Sequence, residues 1–250
     1  FDYPEAFFEE RVHEIRRIHP DPNQVKAAAD KLKNSKQPII ISGGGVLYSE
    51  AEEELSRFAK KHNIPVTATA MGIGCMTKDD PYYIGGIGGL GEKSANNLSK
   101  ETDLALAIGT KLADFTTGSW ANFESDNFQL VSLNAARFDT VKHLATPIVS
   151  DAKIGLQQLS EALGDWKAPD DWYQKAIKER AEWEDHVQKQ SGPTNQEEPS
   201  YAHAVGAVYR NADPSDIVVT AAGGLVGEVV QVWKPKQINT FETEWGFSCM

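Results

Sequence analysis

Pro38-Ile39-Ile40-Ile41-Ser42-Gly43-Gly44-Gly45 is the stretch on which the fold turns. Three consecutive isoleucines, stiff at χ1 and crowded in a helix, suit a strand. The run does not alternate with polar residues, so both of its faces are covered, as in a parallel sheet packed between helices. The glycines at its end bring the chain closely over the sheet edge. Ser49 and Glu52 then have the spacing of a capping box, which predicts a helix opening at Ser49 with Leu55, Phe58 and Ala59 on its buried face.

Outward from this stretch the alternation repeats. Residues 64–68, 103–109, 129–133 and 147–149 are further short apolar runs, with a polar helix at 94–100 between them. At least five strands are expected, in an open, doubly wound, mostly parallel α/β sheet of Rossmann-like type. Pro81-Tyr82-Tyr83-Ile84 reads as a poor strand. A closing helix is expected over 152–163 and a charged, Trp-bearing surface helix over 168–190, whose aromatic residues serve as docking contacts. Residues 191–199, polar and with two prolines, read as a linker between a sheet domain at 1–190 and the truncated start of a second α/β domain at 200–250. In that second unit Ser200 caps a helix over 201–211. A buried strand over 216–220 leads into the turn Ala221-Ala222-Gly223-Gly224, a helix over 225–233 and a second strand over 237–241. So small a unit buries too little apolar area to stand alone and is expected to be poorly ordered or to lean on the sheet domain or a neighbouring chain.

Composition narrows the function. The 250 residues are 40% hydrophobic and 24% charged, ordinary for a globular protein, and no apolar run approaches the roughly 20 residues of a membrane helix. A net charge of −11, with 25 basic against 36 acidic residues, argues against nucleic acid, whose phosphates are held by Lys and Arg. Two cysteines, Cys75 and Cys249, and an amino terminus with neither a basic nor an apolar targeting region give the expectation of a reduced, cytoplasmic setting. The chain starts at Phe1 without an initiator Met, as a chain with an upstream portion would.

Two glycine clusters bear on nucleotide binding. Gly43-Gly44-Gly45 lacks the sixth-position glycine of a dinucleotide fingerprint, where Tyr48 stands, and reads as a close turn. Gly86-Ile87-Gly88-Gly89-Leu90-Gly91 has the fingerprint spacing but no ribose-binding acid at the end of a following strand, and reads better as a loop lining an interdomain crevice. The six histidines are scattered away from the cysteines, so no zinc site is indicated, and no Gly-x-Ser-x-Gly elbow occurs. The turn at 221–224 and the terminal run Glu244-Trp245-Gly246-Phe247-Ser248-Cys249-Met250 both fall at carboxyl ends of strands, where open parallel sheets bind ligands. Together they read as half of a cofactor site.

The residues that carry a family resemblance are Phe1-Asp2-Tyr3-Pro4-Glu5 with Arg11-Val12-His13, Ile41-Ser42-Gly43-Gly44-Gly45-Val46 with Tyr48-Ser49-Glu50-Ala51, Gly85-Gly86-Ile87-Gly88, Asp114-Phe115-Thr116-Thr117, and Glu244 with Gly246-Phe247-Ser248-Cys249-Met250. Through them nearly the whole chain resembles the middle of thiamine diphosphate enzymes. The pattern is nearest to the hydrolases that open a cyclic 1,2-diketone in myo-inositol catabolism, and Phe247-Ser248-Cys249 is unlike the corresponding stretch of acetolactate synthases. The resemblance implies a central sheet domain followed by the opening of the diphosphate-binding domain, with thiamine diphosphate and magnesium as cofactors of the intact protein. By matching position it implies that the backbone of Gly223, Gly224 and Leu225 approaches the diphosphate, that the Ser248 carbonyl accepts from the aminopyrimidine, and that Met250 is the apolar wedge that bends the cofactor. It also implies that the activating glutamate and the metal ligands fall outside these 250 residues. The chain alone is therefore expected to be inactive, with no catalytic or metal residue of its own and no tight hold on either cofactor. The intact enzyme is expected to be a homodimer or larger acting on a small cyclic diketone. An acetolactate synthase-like carboligase or decarboxylase is the alternative within the family, and a non-catalytic nucleotide-binding or interaction module near Gly86–Gly91 the alternative outside it.

Overall fold

A computed structural model describes residues 2–14 and 16–243. In chain order the elements are α1 (Pro22–Asn34), β1 (Pro38–Ser42), α2 (Gly45–Tyr48), α3 (Glu52–His62), β2 (Val66–Ala68), β3 (Tyr83–Gly86), α4 (Lys93–Glu101), β4 (Leu104–Ile108) and α5 (Asp114–Thr117). They continue with β5 (Gln129–Asn134), α6 (Arg137–Val141), β6 (Thr146–Val149), α7 (Ala152–Leu163), α8 (Asp170–Ser191), α9 (Tyr201–Asn211), β7 (Val218–Thr220), α10 (Leu225–Val232) and β8 (Phe241–Thr243). The first six strands form one parallel sheet in the order β3-β2-β1-β4-β5-β6, and β7 and β8 form a separate parallel pair.

The isoleucine run sits at the centre of the larger sheet, wholly buried. Ile40 faces a core built with Leu32 of α1, Leu55 and Phe58 of α3, and Leu156 and Leu159 of α7. Ile39 and Ile41 face the opposite core, with Ala95 and Leu98 of α4 and Trp172 and Ala176 of α8. Side chains alternate across a strand, so a continuous apolar run feeds both layers at once. The Trp172 indole N–H donates to the Pro38 carbonyl at 2.9 Å, which ties α8 to the start of β1.

Three sequence expectations are corrected. The helix expected from Ser49 begins at Glu52, after the short turn α2 and a break at Glu50, whose φ is +50°. The capping box is not formed. The Ser49 hydroxyl instead accepts from the Ala152 N–H at 3.2 Å, and Arg17 reaches the Ser49 carbonyl, Glu50 and Asp151. These partners lie more than thirty residues away along the chain, so they are invisible to a local motif. The poor strand at Pro81 to Ile84 is in fact β3, a sixth, edge strand whose pairing with β2 shifts register between Val66 and Thr67. Finally, the strand expected over 237–241 is displaced to β8. Residues before it turn: Asn239 has φ +61°, and the Thr240 hydroxyl donates to the Gln237 carbonyl at 2.8 Å.

The terminal elements lean on the sheet domain. Val226, Val229, Val230 and Val232 of α10, Trp233 and Phe241 share one apolar core with Val66, Ala68 and Ile73. α9 begins at Ser200 as expected, with Ser200 and His203 in a capping box. The strand expected to be buried over 216–220 is the shorter β7 and is not buried: Ile217, just before it, and Val219 are 63% and 66% exposed.

Candidate functional site

β7 ends at Thr220 and the chain turns through Ala221, Ala222, Gly223 and Gly224 into α10, as the sequence pattern requires. Gly223 has φ +125°, a conformation that side-chain-bearing residues rarely adopt. A Cβ at Gly223 or Gly224 would meet nothing within 4 Å among the described residues. Gly224 caps α10 without a side-chain acceptor, leaving the first N–H groups of the helix free of a side-chain cap. Such a helix start attracts anions through its N–H groups and its dipole.

A second polar group lies at the same end of this sheet. Thr243 is the register partner of Thr220, and its Oγ1 is buried without a hydrogen-bond partner among the described residues. An orphan hydroxyl of this kind costs stability unless something satisfies it. It fits a polar ligand group at the carboxyl edge of β7 and β8. The sequence reading missed Thr243, because only the strand register brings it opposite Thr220. Gly223, Gly224 and Leu225 are brought together at the turn. Ser248 and Met250 lie outside the described residues.

The other two glycine clusters are closed. Gly43 N–H donates to the Ile108 carbonyl at 2.8 Å and Gly45 N–H to that of Gly109 at 2.9 Å. A Cβ on Gly45 would stand 2.6 Å from the Gly109 Cα, so backbone packs on backbone between β1 and β4, where the strand order switches. In the loop from Gly86 to Gly91, the N–H groups of Ile87, Gly89 and Gly91 donate to backbone carbonyls. That of Gly88 donates to Asn96 Oδ1 at 2.9 Å, and that of Gly86 to Glu92 Oε1 at 2.8 Å. Donors already used, around a buried carboxylate, cannot cradle a phosphate. The loop lies instead against α10. A Cβ on Gly86 would be 3.5 Å from Val230, and one on Gly227 would be 3.5 Å from Leu90.

Reactive groups are muted. Burial pushes the Cys75 thiol up to about 12, so it carries no thiolate at neutral pH. Burial holds His62 below the ordinary histidine value, and its ring nitrogens are engaged with the Trp166 carbonyl at 2.7 Å and the Ser160 hydroxyl at 2.9 Å. Among the described residues no three His, Cys, Asp or Glu side chains are grouped to hold a metal, and no helix is long and apolar enough to cross a membrane.

Comparison with known proteins places this geometry. Residues 25–159 match the family described as thiamine pyrophosphate enzyme, central domain. The chain is 34% identical over 271 residues to a 3D-(3,5/4)-trihydroxycyclohexane-1,2-dione hydrolase of Geobacillus thermodenitrificans, covering all of this chain and 42% of that protein. It is 34% identical over 274 residues to the hydrolase of the same name from Clostridium tetani, with the same coverage. The hydrolase of that name from Lacticaseibacillus casei is 32% identical over 276 residues, again with 42% of its length covered. The chain therefore spans less than half the length of these relatives. It belongs to the thiamine pyrophosphate enzyme family, whose central domain its six-stranded parallel sheet forms.

Proposed function

We propose that this chain is part of a thiamine diphosphate- and magnesium-dependent hydrolase that opens a trihydroxycyclohexane-1,2-dione ring to 5-deoxyglucuronate. The observation that carries the reading is the match to hydrolases of that name along the whole chain. In this reading residues 1–190 are the central domain, 191–199 a linker and 200–250 the opening of the diphosphate-binding domain. The N–H groups of Gly223, Gly224 and Leu225 hold the diphosphate by charge-assisted hydrogen bonds at the start of α10. The absence of side chains at the two glycines lets the anion come close to the backbone. The Thr243 hydroxyl finds its partner at the same edge. Ser248, through its carbonyl, and Met250, as an apolar support, orient the aminopyrimidine. Bound in this way, the cofactor supplies the nucleophile for a ketone carbonyl and the electron sink for breaking the adjacent C–C bond, which water completes.

The activating carboxylate and the magnesium ligands belong to parts of the enzyme outside this chain, so the 250 residues by themselves are inactive and hold the cofactor weakly. The working enzyme is a cytoplasmic homodimer or larger assembly. The test is product analysis with the protein at its natural length, thiamine diphosphate and Mg²⁺. Conversion of the cyclic dione to the ring-opened acid supports the assignment. Formation of acetolactate from pyruvate in its place would transfer the protein to the carboligases.

A further inference from the structure

Among the described residues the turn at Gly223-Gly224 makes no contact at its glycine Cβ positions, and it leads directly into α10. α10 is eight residues long, roughly 12 Å at 1.5 Å per residue; it packs on α9 and lies against the loop from Gly86 to Gly91 through Val230 and Gly227. Apolar contacts of this kind are non-directional and leave a short helix free to slide or roll. Directional contacts join the chain just beyond its carboxyl end to the sheet domain, among them the Lys78 N–H donating to the Pro235 carbonyl at 3.0 Å. Just beyond the helix, the Lys234 ammonium pairs with Glu92 Oε2, while Glu92 Oε1 accepts from the Gly86 N–H at 2.8 Å. The two side chains are 15% and 2% exposed. The Glu92 backbone also closes the glycine loop on itself, its N–H donating to the Gly86 carbonyl at 2.7 Å. Gly85 must lack a side chain because a Cβ there would stand 2.6 Å from the Glu92 carboxyl carbon.

We propose that Glu92 and Lys234 are positioning residues, an interdomain latch that fixes where α10 lies along the glycine loop and so where the Gly223-Gly224 turn presents its N–H groups. The proposal rests on the cofactor reading above. It assigns a purpose to this stretch that a dinucleotide fingerprint does not: Gly85 leaves room for a buried carboxylate, and the carboxylate holds the neighbouring unit in register. Buried pairs of this kind set geometry more than they add stability, and removing one partner strands the other's charge.

Three variants of the protein at its natural length test it: Lys234→Met, Glu92→Gln, and the two together. Hydrogen exchange should quicken about tenfold across α10 in Lys234→Met, with β1 and β4 unchanged, and part of that loss should return in the double variant, where no charge is stranded. Half-saturation by thiamine diphosphate with Mg²⁺, followed by tryptophan quenching, should rise about tenfold in Lys234→Met while turnover at saturating cofactor is kept. Wild-type-like cofactor affinity in all three variants, with wild type binding normally, would overturn the latch and leave the cofactor reading intact. Failure of the wild-type protein to bind thiamine diphosphate would overturn the cofactor reading, and the positioning role with it.

Discussion

β1 and β7 are both short parallel strands followed by a glycine turn and a helix, yet their surroundings differ. Every residue of β1 is buried between two helical layers, and its glycine turn is sealed against Gly109. Among the described residues β7 has one neighbour, an outer face with Val219 exposed, and a glycine turn whose Cβ positions meet nothing within 4 Å. The same local pattern therefore serves a closed core in one place and, in the proposed reading, a cofactor site in the other. A glycine turn becomes a candidate ligand site only where the surrounding backbone leaves its N–H groups and the space before them unclaimed.

The sharpest way to break this contrast is a cavity in the closed core. Leu106, fully buried at the middle of β4, should cost about 2–5 kcal/mol when truncated in Leu106→Ala, read by denaturant unfolding. A loss near zero would mean that the sheet is not the stable body of the chain. Smaller effects should come from His62, which joins α3 to the segment after α7. Its pKa is depressed on folding, so the unfolded chain takes the proton more readily. Its contribution to stability is present above the ordinary value of 6.5 and is lost as pH falls through the lower folded value. Thermal unfolding should therefore drop between pH 7.5 and 5 more steeply in the wild type than in His62→Gln, and parallel curves would contradict the assignment. The smallest effect belongs to β7: Val219→Thr should change the stability of the chain by less than about 0.5 kcal/mol. A larger loss would show that this face is covered in solution.

What could be read from the sequence follows the same divide between local and distant causes. Ile39-Ile40-Ile41 announced a two-sided core because their chemistry alone decides their burial, and Ser200 announced its helix because its partner, His203, is three residues away. Ser49 misled because its hydroxyl answers to Ala152 and its neighbours to Arg17. β3 was hidden because it contains Gly85 and Gly86, which weaken any strand pattern, and Gly85 leaves the room that the Glu92 carboxylate occupies. The Gly223-Gly224 turn was legible from its glycines. Thr243 was not, since it acquires meaning only opposite Thr220, across a pairing that begins four residues later than the pattern around 237–241 suggested. Lys234, likewise, is an ordinary surface lysine until the fold sets it beside Glu92.

The central claim is that the terminal unit carries one half of a cofactor site. Calorimetric titration of thiamine diphosphate with Mg²⁺ into this 250-residue chain, alongside the protein at its natural length, tests it most directly. The account predicts saturable heat for the natural protein and none for the 250 residues at the same concentrations. Tight binding by the 250-residue chain, or no binding by either, would contradict it.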